Sequence, residues 1–201
     1  LERPRKLKLT PADAVVHAAA YFRLAGPRRP YFKTNVEGTR ALVAAAKKAG
    51  IKHFVAIGAA AVIMDDRGSP VLDADESAPT FPKSFSAYIA SKAQAESLLL
   101  AANEPAFRTL VLRPPGIWGL GDAFSQALPA LVRSGQFSFI GGGAYPYVTC
   151  HVDNVAEAVV AALAAKTGGR AYFINDAEPT TFRDFATRIA SAIGLDIARA
   201  R

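Results

Sequence analysis

The sequence predicts an α/β protein built on a doubly wound parallel sheet. Short apolar runs alternate with stretches of helical periodicity, breakers stand between them, and most of the unusual residues fall just after the apolar runs. Such alternation implies right-handed crossovers and helices on both faces of the sheet, with ligands outside the carboxyl ends of the strands.

The elements follow in order. Asp13 to His17 is a short apolar run opening into three alanines, as expected of a strand buried on both faces. Tyr31 to Ala49 carries an apolar stripe of Val36, Leu42, Val43 and Ala46, and Gly50 is placed to stop the helix. Ile51 to Ile57 is a second strand. Gly58 to Phe85 holds Pro70, Pro79, Pro82 and five carboxylates, so it reads as a long excursion, a kind of loop that is usually functional. Helical periodicity resumes from Ser86 to Ala102, then a strand from Arg108 to Leu112 and the breaker cluster Arg113-Pro114-Pro115-Gly116. After Trp118 the expectation is a helix at Phe124 to Ser134, short strands at Phe137 to Ile140 and Tyr147 to His151, and a helix at Asp153 to Ala165 capped by Asp153. A strand at Ala171 to Ile174 and a helix at Thr181 to Ile193 close the pattern.

Composition narrows the function classes. The 201 residues are 51% hydrophobic and 20% charged, enough to bury an ordinary globular core. No apolar stretch reaches the ~20 residues of a membrane span and no leader opens the chain, so a cytoplasmic protein is expected. Cys150 is the only cysteine, which excludes an intrachain disulfide and a cysteine-rich zinc site; no metal is expected, and Cys150 reads as a small buried hydrophobe. The net charge of +7 gathers at Arg3, Arg5, Lys6 and Lys8, at Arg23, Arg28, Arg29 and Lys33, and at Arg199 and Arg201. Without an aromatic-interleaved basic stripe, this describes a solvated surface and not a nucleic-acid site.

Tyr88 and Lys92 stand at i and i+4, which places a phenol and an ammonium on one helix face. A free tyrosine titrates near pH ~10, and a neighbouring cation favours phenolate, so the pair suits proton transfer. Tyr-x-x-x-Lys alone is equally a solvated helix face; its position, after a buried strand and before Arg113-Pro114-Pro115-Gly116, favours chemistry. His151 ends a strand and lines or supports a cleft, while His17 and His53 pack beside strands.

With these motifs, the order DAVVHAAA, NVEGT, YIASK, LRPPGIWGLGD, HVDNVAEAV and AYFINDAEPTTF resembles the extended short-chain dehydrogenase/reductase superfamily, which includes nucleotide-sugar epimerases and dehydratases and 3β-hydroxysteroid-dehydrogenase-like enzymes. The resemblance runs through nearly all of the chain. It implies a Rossmann-type fold, an NAD or NADP cofactor, and hydride transfer between nicotinamide and a substrate hydroxyl or keto carbon. Ala18, Ala19 and Ala20 would form a turn passing close to the dinucleotide, with simple tight packing as the alternative. Tyr88 would be the acid/base, and Lys92 would lower its pKa and bind the nicotinamide ribose. Pro114, Gly116 and Ile117 would line the nicotinamide, and Asn35 would hold a helix irregularity near the site. Residues 1–118 would be a partial NAD(P)-binding core and 119–201 a substrate-binding region interleaved with it. The substrate would be a nucleotide sugar or a hydrophobic hydroxy or keto compound, with Trp118, Tyr147 and His151 in its cleft. The helices at Tyr31 to Ala49 and Ser86 to Ala102 resemble the four-helix interface of a homodimer, and neither nucleic acid nor membrane is an expected partner.

Two departures bear on this. The strand before the Tyr88 helix ends in Gly58-Ala59-Ala60-Ala61, where the family carries a Ser or Thr. Losing such a donor costs roughly 10²–10³ in rate in other enzymes; Ser86 and Thr34 are the hydroxyls that could replace it. The glycine-rich phosphate loop is also absent, and Gly141-Gly142-Gly143 is no substitute, because no helix starts directly after it. The expectation is a chain lacking about two strand-helix units, on the order of 60 residues, or else a variant without a pyrophosphate site. The alternative function is a catalytically impaired member that senses cofactor or binds a partner.

Overall fold

In the computed structural model, residues 7–23 and 25–197 are described; the basic residues Arg3, Arg5, Lys6, Arg199 and Arg201 lie outside them. The chain forms two compact units, one of residues 1–114 and 157–173, the other of residues 115–156 and 174–201.

The first unit carries a four-stranded parallel sheet in the order β1-β2-β3-β6, made of β1 (Ala14–His17), β2 (His53–Ile57), β3 (Arg108–Arg113) and β6 (Arg170–Phe173). The register pairs Val15 with Phe54, Val55 with Leu110, and Val111 with Ala171. The central strands are apolar without alternation because both faces are covered. Phe54, Ala56 and Val111 join Val43, Ala46 and Leu99 in one core cluster, while Val55, Leu110 and Leu112 alternate to the other face and are equally buried.

The predicted helix at Tyr31 to Ala49 begins earlier and is not uniform. A short α1 (Arg28–Tyr31) runs into a π-helical stretch (Phe32–Gly38) and then α2 (Thr39–Lys48), and Gly50 adopts φ 74° just after the stop. Helix α3 (Ala87–Ala101) starts where Ser86 Oγ accepts from Ile89 N at 3.4 Å. A 3₁₀ turn (Ala60–Ile63) opens the excursion after β2, and Asp66 closes its far end by accepting from Ser84 Oγ at 2.5 Å and from Phe85 N.

The second unit holds β4 (Gly116–Trp118) paired in parallel with β5 (Thr149–His151), α4 (Ala123–Arg133), the start of α5 (Val152–Ala164) and α6 (Phe182–Ala192). Two expectations fail here. Phe137 to Ile140 is not a strand: Gly141, Gly142 and Gly143 follow at φ 55°, 74° and 72°, a left-handed run that ends any extended chain, and Phe137 and Phe139 instead pack into the cluster with Leu128 and Phe182. Asp153 does not cap α5, which already begins at Val152. The ring Nδ1 of His151 accepts from Asp153 N at 3.3 Å, so the imidazole supplies the acceptor expected of the carboxylate. No helix among the described residues is long and apolar enough to cross a membrane.

Candidate active site

The carboxyl ends of β1 and β2, the π-helical stretch and the first two turns of α3 meet in the first unit. Asn35 is central to the arrangement. Its Oδ1 accepts from Tyr21 N at 2.7 Å, and its Nδ2 donates to Tyr21 O at 3.1 Å and to Ser91 Oγ at 3.0 Å. Ser91 Oγ in turn donates to Tyr88 O at 3.0 Å. One buried amide thus ties the turn after β1 to the helix that carries Tyr88. The wide π turn around Asn35 is completed by Thr39 Oγ1, which donates to Asn35 O at 2.6 Å. Since that spends the hydroxyl proton, His17 Nε2, 2.9 Å away, must be the donor to Thr39. Burial, reinforced by the charge of Lys92, pushes His17 down to about 4, so the ring is neutral.

Lys92 is 8% exposed and donates from Nζ to Ile57 O at 2.7 Å. Burial lowers its pKa to about 8, with the nearby Glu96 carboxylate acting in the opposite sense. The other two N–H groups of the ammonium make no hydrogen bond among the described residues, and a small cavity beside it is lined by Ala19, Ala20, Ile57, Gly58 and Asn35. Ala18, Ala19 and Ala20 are exposed. Gly58 allows the ends of β2 and β3 to approach closely: its N–H donates to Leu112 O at 2.6 Å, and a Cβ there would lie 2.7 Å from Val111 Cγ1. Two residues on, Ala60 N donates to Pro114 O at 2.9 Å.

Tyr88 is half-buried, with its ring edge-on to Phe22 at 4.9 Å. Burial raises its phenol above the ordinary tyrosine range, the opposite of the lowering expected from Lys92. The hydroxyls named as replacements for the absent Ser or Thr are placed as follows: Ser86 caps α3, and Thr34 is partly exposed on the π turn. Ser84, which sequence reasoning passed over, is buried and spends its proton on Asp66.

In the second unit, Trp118 lies edge-on to His151 at 4.6 Å and to Phe185 at 5.8 Å, while Tyr147 packs against Phe182 and Phe185. Gly116 leaves room for the Tyr147 hydroxyl, 3.0 Å from where a Cβ would sit, and Ile117 is 44% exposed. The organiser is Asp176, which the sequence did not single out. Its Oδ2 accepts from Trp118 Nε1 at 2.7 Å and Thr149 Oγ1 at 2.8 Å, and its Oδ1 accepts from His151 N and Asn154 Nδ2, each at 2.7 Å. Partial burial alone would raise this carboxyl, but the four hydrogen bonds outweigh it and hold the pKa below the usual range.

Comparison with known proteins gives this geometry a context. A 4-hydroxy-2-methyl-3-oxo-4-farnesyl-3,4-dihydroquinoline-1-oxide ketoreductase of Stigmatella aurantiaca is 39% identical over 198 residues, covering 97% of this chain and 59% of that protein. A 2-alkyl-3-oxoalkanoate reductase of Stenotrophomonas maltophilia is 36% identical over 193 residues, covering 90% of this chain and 57% of that protein. The chain therefore spans under two thirds of the length of these relatives. Among solved structures, a dTDP-glucose 4,6-dehydratase from Streptomyces venezuelae with NAD bound superposes with a TM-score of 0.79 at 24% identity, over 98% of this chain and 62% of that one, which establishes the Rossmann-type fold. Residues 6–200 match the 3-beta hydroxysteroid dehydrogenase/isomerase family throughout, and the chain belongs to that family.

Proposed function

We propose that this chain is part of an NAD(P)-dependent oxidoreductase that reduces a ketone, with Tyr88 as the proton donor. The observation that carries this reading is the half-buried Tyr88 phenol, one helical turn before the buried Lys92 ammonium, on a helix keyed to the cofactor-side turn through Asn35 and Ser91. The surroundings fit a dinucleotide: Lys92 has N–H groups to offer a ribose diol, and the small residues Ala18, Ala19 and Ala20 leave the backbone after β1 open to close approach. Pro114, Gly116 and Ile117 are assigned to its nicotinamide end. When bound, the nicotinamide supplies the hydride that goes to the carbonyl carbon.

What the residues do follows from their protonation. The Tyr88 phenol, raised by burial from an already high ordinary value, carries its proton at neutral pH and can donate it to a carbonyl oxygen; in the reverse direction the same oxygen takes the proton back. As the C–O π bond opens, the Tyr88 O–H bond breaks and the proton passes to the substrate oxygen. Lys92, one helical turn on, is the cation assigned to the phenolate left behind. Trp118, Tyr147 and His151 of the second unit are assigned to substrate binding. A homodimer through α2 and α3 is part of the same reading, supported by the surface formed by Val36, Arg40, Leu98 and Ala101; light scattering that gives a monomeric mass would exclude it.

The test is calorimetry with NADPH and NADH on the full-length protein, followed by turnover of Tyr88→Phe. Binding of one cofactor is expected, with turnover falling by roughly 10²–10⁴ in the variant; binding of neither cofactor, or unchanged turnover, refutes the reading. The second reading, a cofactor-binding member without turnover, is favoured by the run Gly58-Ala59-Ala60-Ala61, which offers no hydroxyl. Cofactor binding with no ketone reduction would establish it.

A further inference from the structure

We propose that Phe22 is the specificity-determining surface of this site: its exposed ring, set edge-on against Tyr88, receives the apolar flank of the ketone that Tyr88 protonates. The inference rests on the reading above and names the residue that would hold the hydrocarbon body of the ketone.

Phe22 leaves 55% of its surface in solvent. Single exposed apolar side chains are common and need no explanation by themselves, but this one is neither loosely held nor randomly placed. Its ring centroid is 4.9 Å from that of Tyr88, with the planes at 76°. The residues on both sides of it are fixed: Tyr21 is clasped at N–H and C=O by Asn35, and Arg23 O accepts from Tyr31 Oη at 2.7 Å. The Tyr21 ring itself packs edge-on against Tyr31 at 4.9 Å. Four constraints on two neighbours hold a backbone whose middle residue forgoes burial. Rigid presentation of an apolar anchor beside a reacting group is what binding requires, because no ordering cost is left for the moment the ligand arrives.

Phe85, three residues before Tyr88, is 74% exposed, and its carbonyl accepts from Arg28 at 2.8 Å, so α1 and the start of α3 are locked together. Arg28 also stacks over Phe32 at 5.2 Å. An apolar body lying on Phe22 would complete the desolvation of the Tyr88 phenol.

The experiment uses the full-length protein saturated with its cofactor and methyl ketones from 2-butanone to 2-undecanone. In the wild type, kcat/KM is expected to rise with chain length. Phe22→Ala is expected to lose roughly tenfold or more in kcat/KM for 2-undecanone, through KM, while 2-butanone changes by less than about twofold; Phe22→Leu should keep most of the gain. Chain-length independence in the wild type, or equal losses for both ketones in Phe22→Ala, would overturn the proposal. Binding of 2-undecanone by saturation-transfer NMR provides a readout without turnover. Binding that Phe22→Ala weakens, in a protein that reduces nothing, supports Phe22 while refuting the proposed reaction. No binding, or displacement of 2-undecanone by UDP-glucose with Phe22→Ala binding the nucleotide sugar as the wild type does, overturns the Phe22 proposal.

Discussion

Replacing Glu96 with Gln tests both the stability of the site and the charge of Lys92. Glu96 and Arg113 are each 3% exposed and form a bidentate pair, Nε to Oε2 at 2.9 Å and NH2 to Oε1 at 2.6 Å. Breaking a buried pair from one side costs about 3–5 kcal/mol, because the remaining charge stays buried. Gln keeps one acceptor oxygen. Arg113 also retains a long contact to Glu76 O at 3.4 Å and the Phe173 ring at 5.2 Å. The lower end, about 3 kcal/mol, is therefore expected, read as a loss of unfolding free energy in urea. A double variant, Glu96→Leu with Arg113→Met, should lose less than either single change, since no charge is then stranded. Glu96 is also the group that opposes the lowering of Lys92, so in Glu96→Gln the ammonium should titrate below about 8, as followed by NMR of the lysine Cε. The sign for stability follows: the folded state holds Lys92 at about 8 and the unfolded chain near ~10.4, so this group's contribution to stability grows as pH rises between the two. The variant extends that window downward. A loss under about 1 kcal/mol, or a Lys92 titration that stays put or moves up, would refute the reasoning.

Asp176→Asn should destabilise the second unit by about 1–3 kcal/mol, because the oxygen replaced by NH2 accepts from two of the four donors. The wild-type carboxyl, held below its ordinary value, contributes stability above pH ~3.9 that is lost as pH falls through the folded value; acid unfolding followed by tryptophan fluorescence should show that loss in the wild type and not in the variant. Gly58→Ala should cost about 1–3 kcal/mol in thermal or urea unfolding, since its Cβ meets Val111 Cγ1 at 2.7 Å and Leu112 O at 3.0 Å, and an unchanged midpoint would show that the strand ends can separate.

Element type was legible wherever one principle acted alone. The runs that became β2 and β3 were readable because parallel strands covered on both faces are continuously apolar; β1 was readable as an apolar run, although the burial on both faces expected of it fails, with Val16 46% exposed. Phe137 to Ile140 misled because aromatic, β-prone residues look like a strand when their true partners, Phe182 and Leu128, are remote in sequence. His151 displaced Asp153 as the cap because a ring nitrogen can accept a hydrogen bond and β5 delivers it to the start of the helix.

The amino-acid sequence by itself determined the parallel α/β architecture, the helical pairing of Tyr88 with Lys92 and the family, because these depend on local periodicity and on motifs contiguous in the chain. Only the tertiary structure decided the protonation and setting of those groups. That Tyr88 is raised, Lys92 lowered and His17 neutral, that Asn35 clasps Tyr21, and that Phe22 stands against Tyr88 all depend on burial and on contacts between residues 14 or more positions apart. Desolvation and through-space contact leave no trace in a local pattern; they arise when the strands and helices close on one another.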